Sequence, residues 1–411
     1  MANEWRNTSL GELTDWASGA TPPKENPEYW GGDIPWISAS SMKSGRLSES
    51  DRMLTQKGLE QRSKLARKND VLLLVRGSEL HKRIPVGVAT RDVAFNQDVK
   101  ALRTKNGINS TYLYYWLAAN EPMLLLKVEH TGIGAGKLDT TVLKNLCIQV
   151  PPTEEQRAIA HILGTLDDKI ELNRRMNETL QTMARALFKA WFVDFDGVSP
   201  QDMQESELGM IPKGWRVASL DSIADYLNGL ALQKFPPSSE IEFLPVIKIA
   251  QLRTGNTLGA DKASARLKPE YIVEDGDVLF SWSGSLEVKV WTGGRGALNQ
   301  HLFKVTSSKV PKWFYYYSTH QHLPDFRTIA ASKATTMGHI QRKHLSDAKI
   351  AVPPPDVMDK RNNIIAPIFS QIVNNAMQSQ TLAQLRDTLL PKLISGALRV
   401  KDAERCVGEA L

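Results

Sequence analysis

The stretch Trp5–Gly19, WRNTSLGELTDWASG, returns 210 residues later as Trp215–Gly229, WRVASLDSIADYLNG. Trp, Arg, Ser, Leu, Asp and Gly fall on the same positions. At the same offset Ile34-Pro35-Trp36-Ile37 lies over Leu244-Pro245-Val246-Ile247. The correspondence continues while the offset drifts. At 207, Asp70-Val71-Leu72 meets Asp277-Val278-Leu279 and Gly77-Ser78 meets Gly284-Ser285. At 203, Asn96-Gln97 meets Asn299-Gln300, and at 201 Tyr114-Tyr115 meets Tyr315-Tyr316. At 202, Val150-Pro151-Pro152 meets Val352-Pro353-Pro354. Composition alone does not keep matches in order over about 200 positions. The chain is a tandem duplication, and a repeat this long gives two similar domains rather than a solenoid.

Each copy begins with short β-rich runs such as Val71–Val75 and Val278–Trp282, broken by Gly, Ser and Asn. Each then reaches a proline cluster that stops the strand before it. A long helical pattern follows. In the first copy Ile159, Leu163, Leu166, Ile170, Asn173, Asn177, Leu180, Ala184, Leu187 and Trp191 are spaced alternately by four and three. That 3.5-residue repeat is a coiled-coil seam. The second copy offers Ile365, Ile368, Ile372, Asn375, Ser379, Leu382, Leu389 and Leu393. Thr153, followed by Glu154, Glu155 and Gln156, reads as the cap and acidic first turn of the first helix.

The predicted fold class is therefore α+β: a duplicated mixed α/β recognition domain, each copy followed by a long helix. The two helices are expected to pair as an antiparallel coiled coil, the arrangement favoured by the polar stretch Asp196–Pro212. The expected layout is a first domain over 1–152, a spacer helix over 153–195 and a linker over 196–212. A second domain over 213–354, a second helix over 355–400 and a tail over 401–411 complete it. Asn173 and Asn375 occupy equivalent mid-helix seam positions. Buried there, they would fix register and orientation; the alternative is that both face solvent at a break in the seam.

Among the 411 residues are 51 Lys+Arg and 45 Asp+Glu, a net charge of +6. This basic excess admits a nucleic-acid partner without proving one. Residues 213–352 carry 18 basic and 12 acidic side chains, whereas 153–195 carry 6 and 7, so the positive charge sits on the domain and not on the helix. Cys147 and Cys406 stand alone, which excludes a disulfide framework or a cysteine zinc site. His320 and His322 lack a second ligand pair, so no metal is expected. The N-terminus has no apolar core of a signal sequence, and no run of about 18 apolar residues occurs. A cytoplasmic protein without a membrane partner is expected.

Catalytic motifs fail one by one. Thr131–Leu138, TGIGAGKL, has Thr where a P-loop needs Gly and Leu where it needs Ser or Thr. No Asp/Asn-Pro-Pro-aromatic motif of an amino-methyltransferase is present, and Ser283-Gly284 lacks the GxSxG frame. A non-catalytic chain without a cofactor of its own is expected.

Basic and small polar residues recur in matching parts of the copies. In the first they are Arg62, Lys64, Arg67, Arg76, Ser78, Lys82, Arg83 and Lys137. In the second they are Ser283, Ser285, Lys289, Lys333, Thr335, Thr336, Arg342 and Lys343. These are the candidate contacts to double-stranded DNA; singly, each is also what a solvated surface would carry. Asn96-Gln97 and Asn299-Gln300 suit adenine edges, but their recurrence in both copies favours a structural role. Residues that read different sequences should lie where the copies diverge.

The whole chain resembles the specificity subunits of type I restriction-modification systems. The resemblance rests on IPWISASSMKSG from Ile34, VPPTEEQRAIAHILGTLDDKIELN from Val150, MARALFKAWFVDF from Met183 and SELGMIPKGW from Ser206. It implies two target-recognition domains reading the halves of a bipartite DNA site, with helices as spacers. It also implies two methyltransferase subunits bringing S-adenosylmethionine, and two restriction subunits bringing ATP and Mg. Pro355-Asp356-Val357-Met358-Asp359 departs from the pattern, so the two helix starts should differ in their contacts. The competing reading is a non-catalytic scaffold that joins proteins through a helical hairpin.

Overall fold

A computed structural model describes residues 5–105, 107–130, 134–332 and 338–408, the side chain of Arg62 not among them. The chain forms two compact units, Met1–Asp168 with Leu382–Leu411, and Lys169–Thr381.

In the first unit, Val71–Leu74 is an apolar strand with all four residues fully buried. A strand covered on both faces reads as a continuous hydrophobic run. It is central to a sheet ordered Thr14–Ser18, Val99–Thr104, Val71–Leu74, Val86–Ala89, Arg46–Leu47. A second sheet runs Met53–Leu54, Trp30–Ile37, Val93–Phe95, Leu65–Ala66, with a parallel contact pairing Trp36 with Ala94. The second unit repeats both. Its first sheet is Asp225–Asn228, Leu302–Thr306, Val278–Ser281, Val288–Val290. Its second is Lys262–Ser264, Phe243–Ile247, Gly296–Leu298, Ile272–Val273, again with one parallel contact, Val246 to Ala297. The duplication is thus one of topology, except that, among the described residues of the second unit, the strand Arg46–Leu47 has no counterpart and the small sheet Glu129–His130, Gly136–Lys137, Arg76–Gly77 is reduced to a single bridge, Ser283 to His339.

The repeated glycine that closes the opening motif has a steric reason. A Cβ on Gly19 would lie 1.9 Å from the carbonyl oxygen of Phe95, and on Gly229 it would lie 2.3 Å from that of Asn299. In each unit the first strand pairs antiparallel with the last, Arg6–Ser9 with Cys147–Val150 and Arg216–Ser219 with Lys349–Val352. Pro151 and Pro353 then end the pairing, since proline has no N–H for the ladder.

The long helices span Thr153–Phe192 and Pro355–Ile394. The compact units do not break at the expected boundaries but inside these helices, because each half-helix packs within one unit. In the second unit the halves run antiparallel. Asn173 Nδ2 donates to Gln378 Oε1 at 2.9 Å and to the Asn375 carbonyl at 3.4 Å; four residues on, Asn177 Nδ2 donates to the Ile372 carbonyl at 2.9 Å. Asn375 Nδ2 donates to Asn177 Oδ1 at 2.9 Å. Both Asn173 and Asn375 are buried, so neither faces solvent.

Four details depart from the sequence reading. After Ala184 the buried line passes to Phe188 and Phe192, while Leu187 and Trp191 are only partly buried. A straight 3.6-residue helix drifts from a 3.5-residue repeat, and here the drift brings Phe188 against Phe314 and Tyr317. Thr153 is no cap: it is the first helical residue, and its hydroxyl donates to the Gly107 carbonyl at 3.2 Å. The expected linker contains a hairpin, Met203–Ser206 with Gly209–Pro212. The expected tail forms an amphipathic helix, Val400–Gly408, with Ala403 and Val407 buried.

Candidate nucleic-acid interface

In the first unit the candidate residues fall into two groups. Lys64 and Arg67 are exposed beside the edge strand Leu65–Ala66, and the turn holding Arg67 is anchored by Asp70. That carboxylate is 6% exposed; it accepts the Arg67 N–H at 2.9 Å and a two-pronged pair from Arg103 at 3.0 and 2.7 Å. Arg62 belongs to the neighbouring helix Gln56–Arg62, but its side chain lies outside the described set.

The second group stands on a small sheet, Glu129–His130, Gly136–Lys137, Arg76–Gly77. Arg76 and Lys137 are cross-strand partners. Ser78 opens the turn Ser78–His81, and Lys82 follows it, both exposed. His81 stacks on His130 with ring centroids 5.0 Å apart. Lys137 Nζ lies 3.7 and 3.8 Å from Glu129 and Asp139, loose pairs that leave it half-exposed. Of the glycine-rich stretch, Thr131–Ile133 lies outside the described residues. Gly136 has a packing role, since a Cβ there would lie 2.8 Å from Leu80 and Val128.

Arg83 does not stand free with Lys82. Its guanidinium donates to Glu79 at 3.0 Å and to the Met42 carbonyl at 3.2 Å, so it braces the turn. Two candidates of the second unit are likewise engaged inside the fold. Lys289 Nζ donates to the carbonyls of Leu252 and Arg253 and pairs with Glu287 at 3.0 Å. Ser283 is buried, 3.0 Å from His301 Nδ1. Arg342 donates to the Tyr226 carbonyl at 3.0 Å and sits 5.6 Å from the Phe303 ring centre, yet remains exposed. Ser285 and Lys343 are exposed. Lys333, Thr335 and Thr336 lie outside the described residues.

Beside Arg342 a cavity of about 370 Å³ is lined by Asn228, Trp282, Phe303, His339, Ile340, Gln341 and Arg342. Trp282 Nε1 donates to Asn228 Oδ1 at 2.9 Å and to the Gln300 carbonyl at 3.1 Å. The repeated asparagines are turn residues: Asn96 Oδ1 accepts the N–H groups of Asp98 and Val99, and Asn299 Oδ1 accepts that of His301. Burial pushes the Lys100 ammonium below its usual range, with Asp98 opposing and Arg76 reinforcing the shift. Burial lowers His320 as well, helped by Arg185 and Arg327. Among the described residues no three metal-ligating side chains converge, and no helix is long and apolar enough to cross a membrane.

Two polar contacts that fix the domain on its helices had no sequence signal. Asp167 accepts from Tyr115 Oη at 2.6 Å and from Arg386 at 2.7 Å, joining residues 219 positions apart in the chain. The two helix starts also differ, as the departure at Pro355–Asp359 implied. Buried Gln156 donates to the carbonyls of Gly107 and Pro151 and accepts the Asn109 N–H at 2.9 Å. Its counterpart Met358 lies in an apolar cluster with Ile365 and Phe369.

A family model described as type I restriction modification DNA specificity domain matches residues 2–182 and 212–387. The MjaIX type I restriction enzyme specificity subunit of Methanocaldococcus jannaschii is 29% identical over 98% of this chain and 95% of its own length. The EcoR124I/EcoR124II specificity subunit of Escherichia coli is 32% identical over 40% of this chain and 41% of its own. The crystal structure of a type I restriction-modification S subunit from M. genitalium superposes with a TM-score of 0.61, at 15% identity, covering 95% of this chain and 96% of that one.

Proposed function

The chain belongs to the type I restriction-modification DNA specificity family, and from that premise we propose that its two units read the two halves of a bipartite duplex DNA site. The observation that carries this reading is a pair of sheets repeated in both units whose exposed basic side chains, Lys64, Arg67, Arg76 and Lys82 among them, are not repeated. Shared backbone supplies the same docking geometry twice; unshared side chains supply two different readouts. Lys64, Arg67, Lys82 and Lys343 are exposed cations suited to phosphate.

In this reading the chain is non-catalytic and cytoplasmic and carries no cofactor of its own. It assembles with two methyltransferase subunits that bring S-adenosylmethionine, and with two restriction subunits that bring ATP and Mg. The near-neutral helices act as spacers between the half-sites. Methylome sequencing of cells expressing the chain with a type I methyltransferase subunit tests it. The expected product is one methylated motif made of two half-sites and a fixed gap. A continuous motif, or no methylation from an assembled complex, overturns it.

A further inference from the structure

Hydrogen bonds align the two units residue by residue at one place. In the first, the Leu138 N–H donates to the Val75 carbonyl, and the Val75 N–H to that of Asp98. In the second, Ile340 donates to Trp282, and Trp282 to His301. The bridge between Ser283 and His339 then corresponds to the pair Arg76–Lys137. Strand register adds that Lys100, opposite Ser18, corresponds to Phe303, opposite Asn228.

The backbone is the same and the chemistry is not. The first unit presents cations: Arg76 and Lys137 are cross-strand partners, and Lys100 Nζ donates to Ser18 Oγ at 2.6 Å and to the Gln97 carbonyl at 3.4 Å. The second presents aromatic walls, with the Trp282 ring centre 6.0 Å from Phe303 and 6.2 Å from His339, around its 370 Å³ cavity. The turn residues beside these patches, Asn96 and Asn299, are by contrast repeated.

We propose that these equivalent patches are the base-reading surfaces, and that they select opposite base pairs; the assignment rests on the DNA-reading function above. Guanine shows two acceptors, O6 and N7, in the major groove, which match the donors of Arg76. Thymine shows a methyl group, which matches the apolar walls formed by Trp282 and Phe303. The first half-site therefore contains a G·C pair read by Arg76. At the pseudo-equivalent position of the second half-site an A·T pair is read through the thymine methyl against Trp282.

The duplication supplies the substitutions: Arg76→Ser and Trp282→Val each install the residue found at the equivalent backbone position of the other copy. The assembled complex would be used to select duplexes from a randomised library at constant salt. In the unaltered complex one half-site should hold the G·C pair and the other the A·T pair. Arg76→Ser should lower discrimination at that G·C pair by about tenfold and leave the other half-site intact. Trp282→Val should do the same to the A·T pair only. An unchanged selected motif, or a uniform loss of binding across all sequences, would overturn the assignment while leaving DNA reading in place. Failure of the unaltered complex to select any duplex would sink DNA reading itself.

Discussion

Whether a basic side chain is free or engaged is decided by neighbours that are distant in sequence. Lys82 and Arg83 are adjacent and chemically alike, yet Lys82 is exposed while Arg83 braces Glu79 and Met42. Lys82→Ala should therefore weaken DNA binding alike across sequences and flatten the log-affinity against log-salt slope by about 1. Arg83→Ala should lower the melting temperature and leave that slope alone, which a fluorescence-anisotropy salt titration and a thermal melt would separate. Glu171 gives a second residue-scale test. Arg174, at 2.8 Å, and Arg175, at 2.7 Å, hold its carboxylate down to about 2. A carboxylate depressed on folding adds stability above its unfolded value of about 4.3, and that stability is lost as the pH falls toward 2. Because Glu171 keeps some exposure, solvent screening leaves about 1 kcal/mol. Acid denaturation of Glu171→Gln should lack that part of the loss.

The sheets and helices were legible as elements because periodicity and the internal repeat are local signals. Val71–Leu74 and Val278–Ser281 fall where the offset of 207 aligns them. What the repeat could not reveal is where the copies differ in pairing, as at Arg46–Leu47, or where a seam yields to a neighbouring domain, as at Phe188. That drift is a packing decision. Phe188→Ala should cost about 3–5 kcal/mol, far more than Leu187→Ala, in a chemical denaturation series. The asparagines carry a different cost. Asn173 Oδ1 is buried without a hydrogen-bond partner, so the seam gives up stability at that point. Replacing Asn173 and Asn375 together by Leu should raise the melting temperature while admitting other helix registers. Spin labels at exposed Leu172 and Met377, with Cys147 and Cys406 changed to Ser, would read this as one distance in the parent and several in the variant. A single unchanged distance would mean that the flanking leucines and isoleucines fix the register unaided.

At the scale of the whole chain, duplication separates what must be kept from what is free to change. Gly19 and Gly229, the paired first and last strands, and the turn asparagines Asn96 and Asn299 recur because the backbone needs them. Arg76 and Ser283, or Val75 and Trp282, differ although they stand on the same backbone, each with its own set of neighbours. Sequence alone located these divergent positions through the offset; it did not reveal that Trp282, Phe303 and His339 line one open pocket, since they come from separate elements. Each sheet pair is complete within its own unit, so a recognition domain should be exchangeable as a block. Replacing residues 213–352 with the corresponding segment of a relative keeps Pro353 and the second helix, and with them the junction at which the strand ends. The methylated motif should then change in one half and keep the other half and the gap. Methylome sequencing gives both halves at once. A change in both halves would mean that each unit's readout depends on the other, and that the duplicated sheets are not independent reading heads.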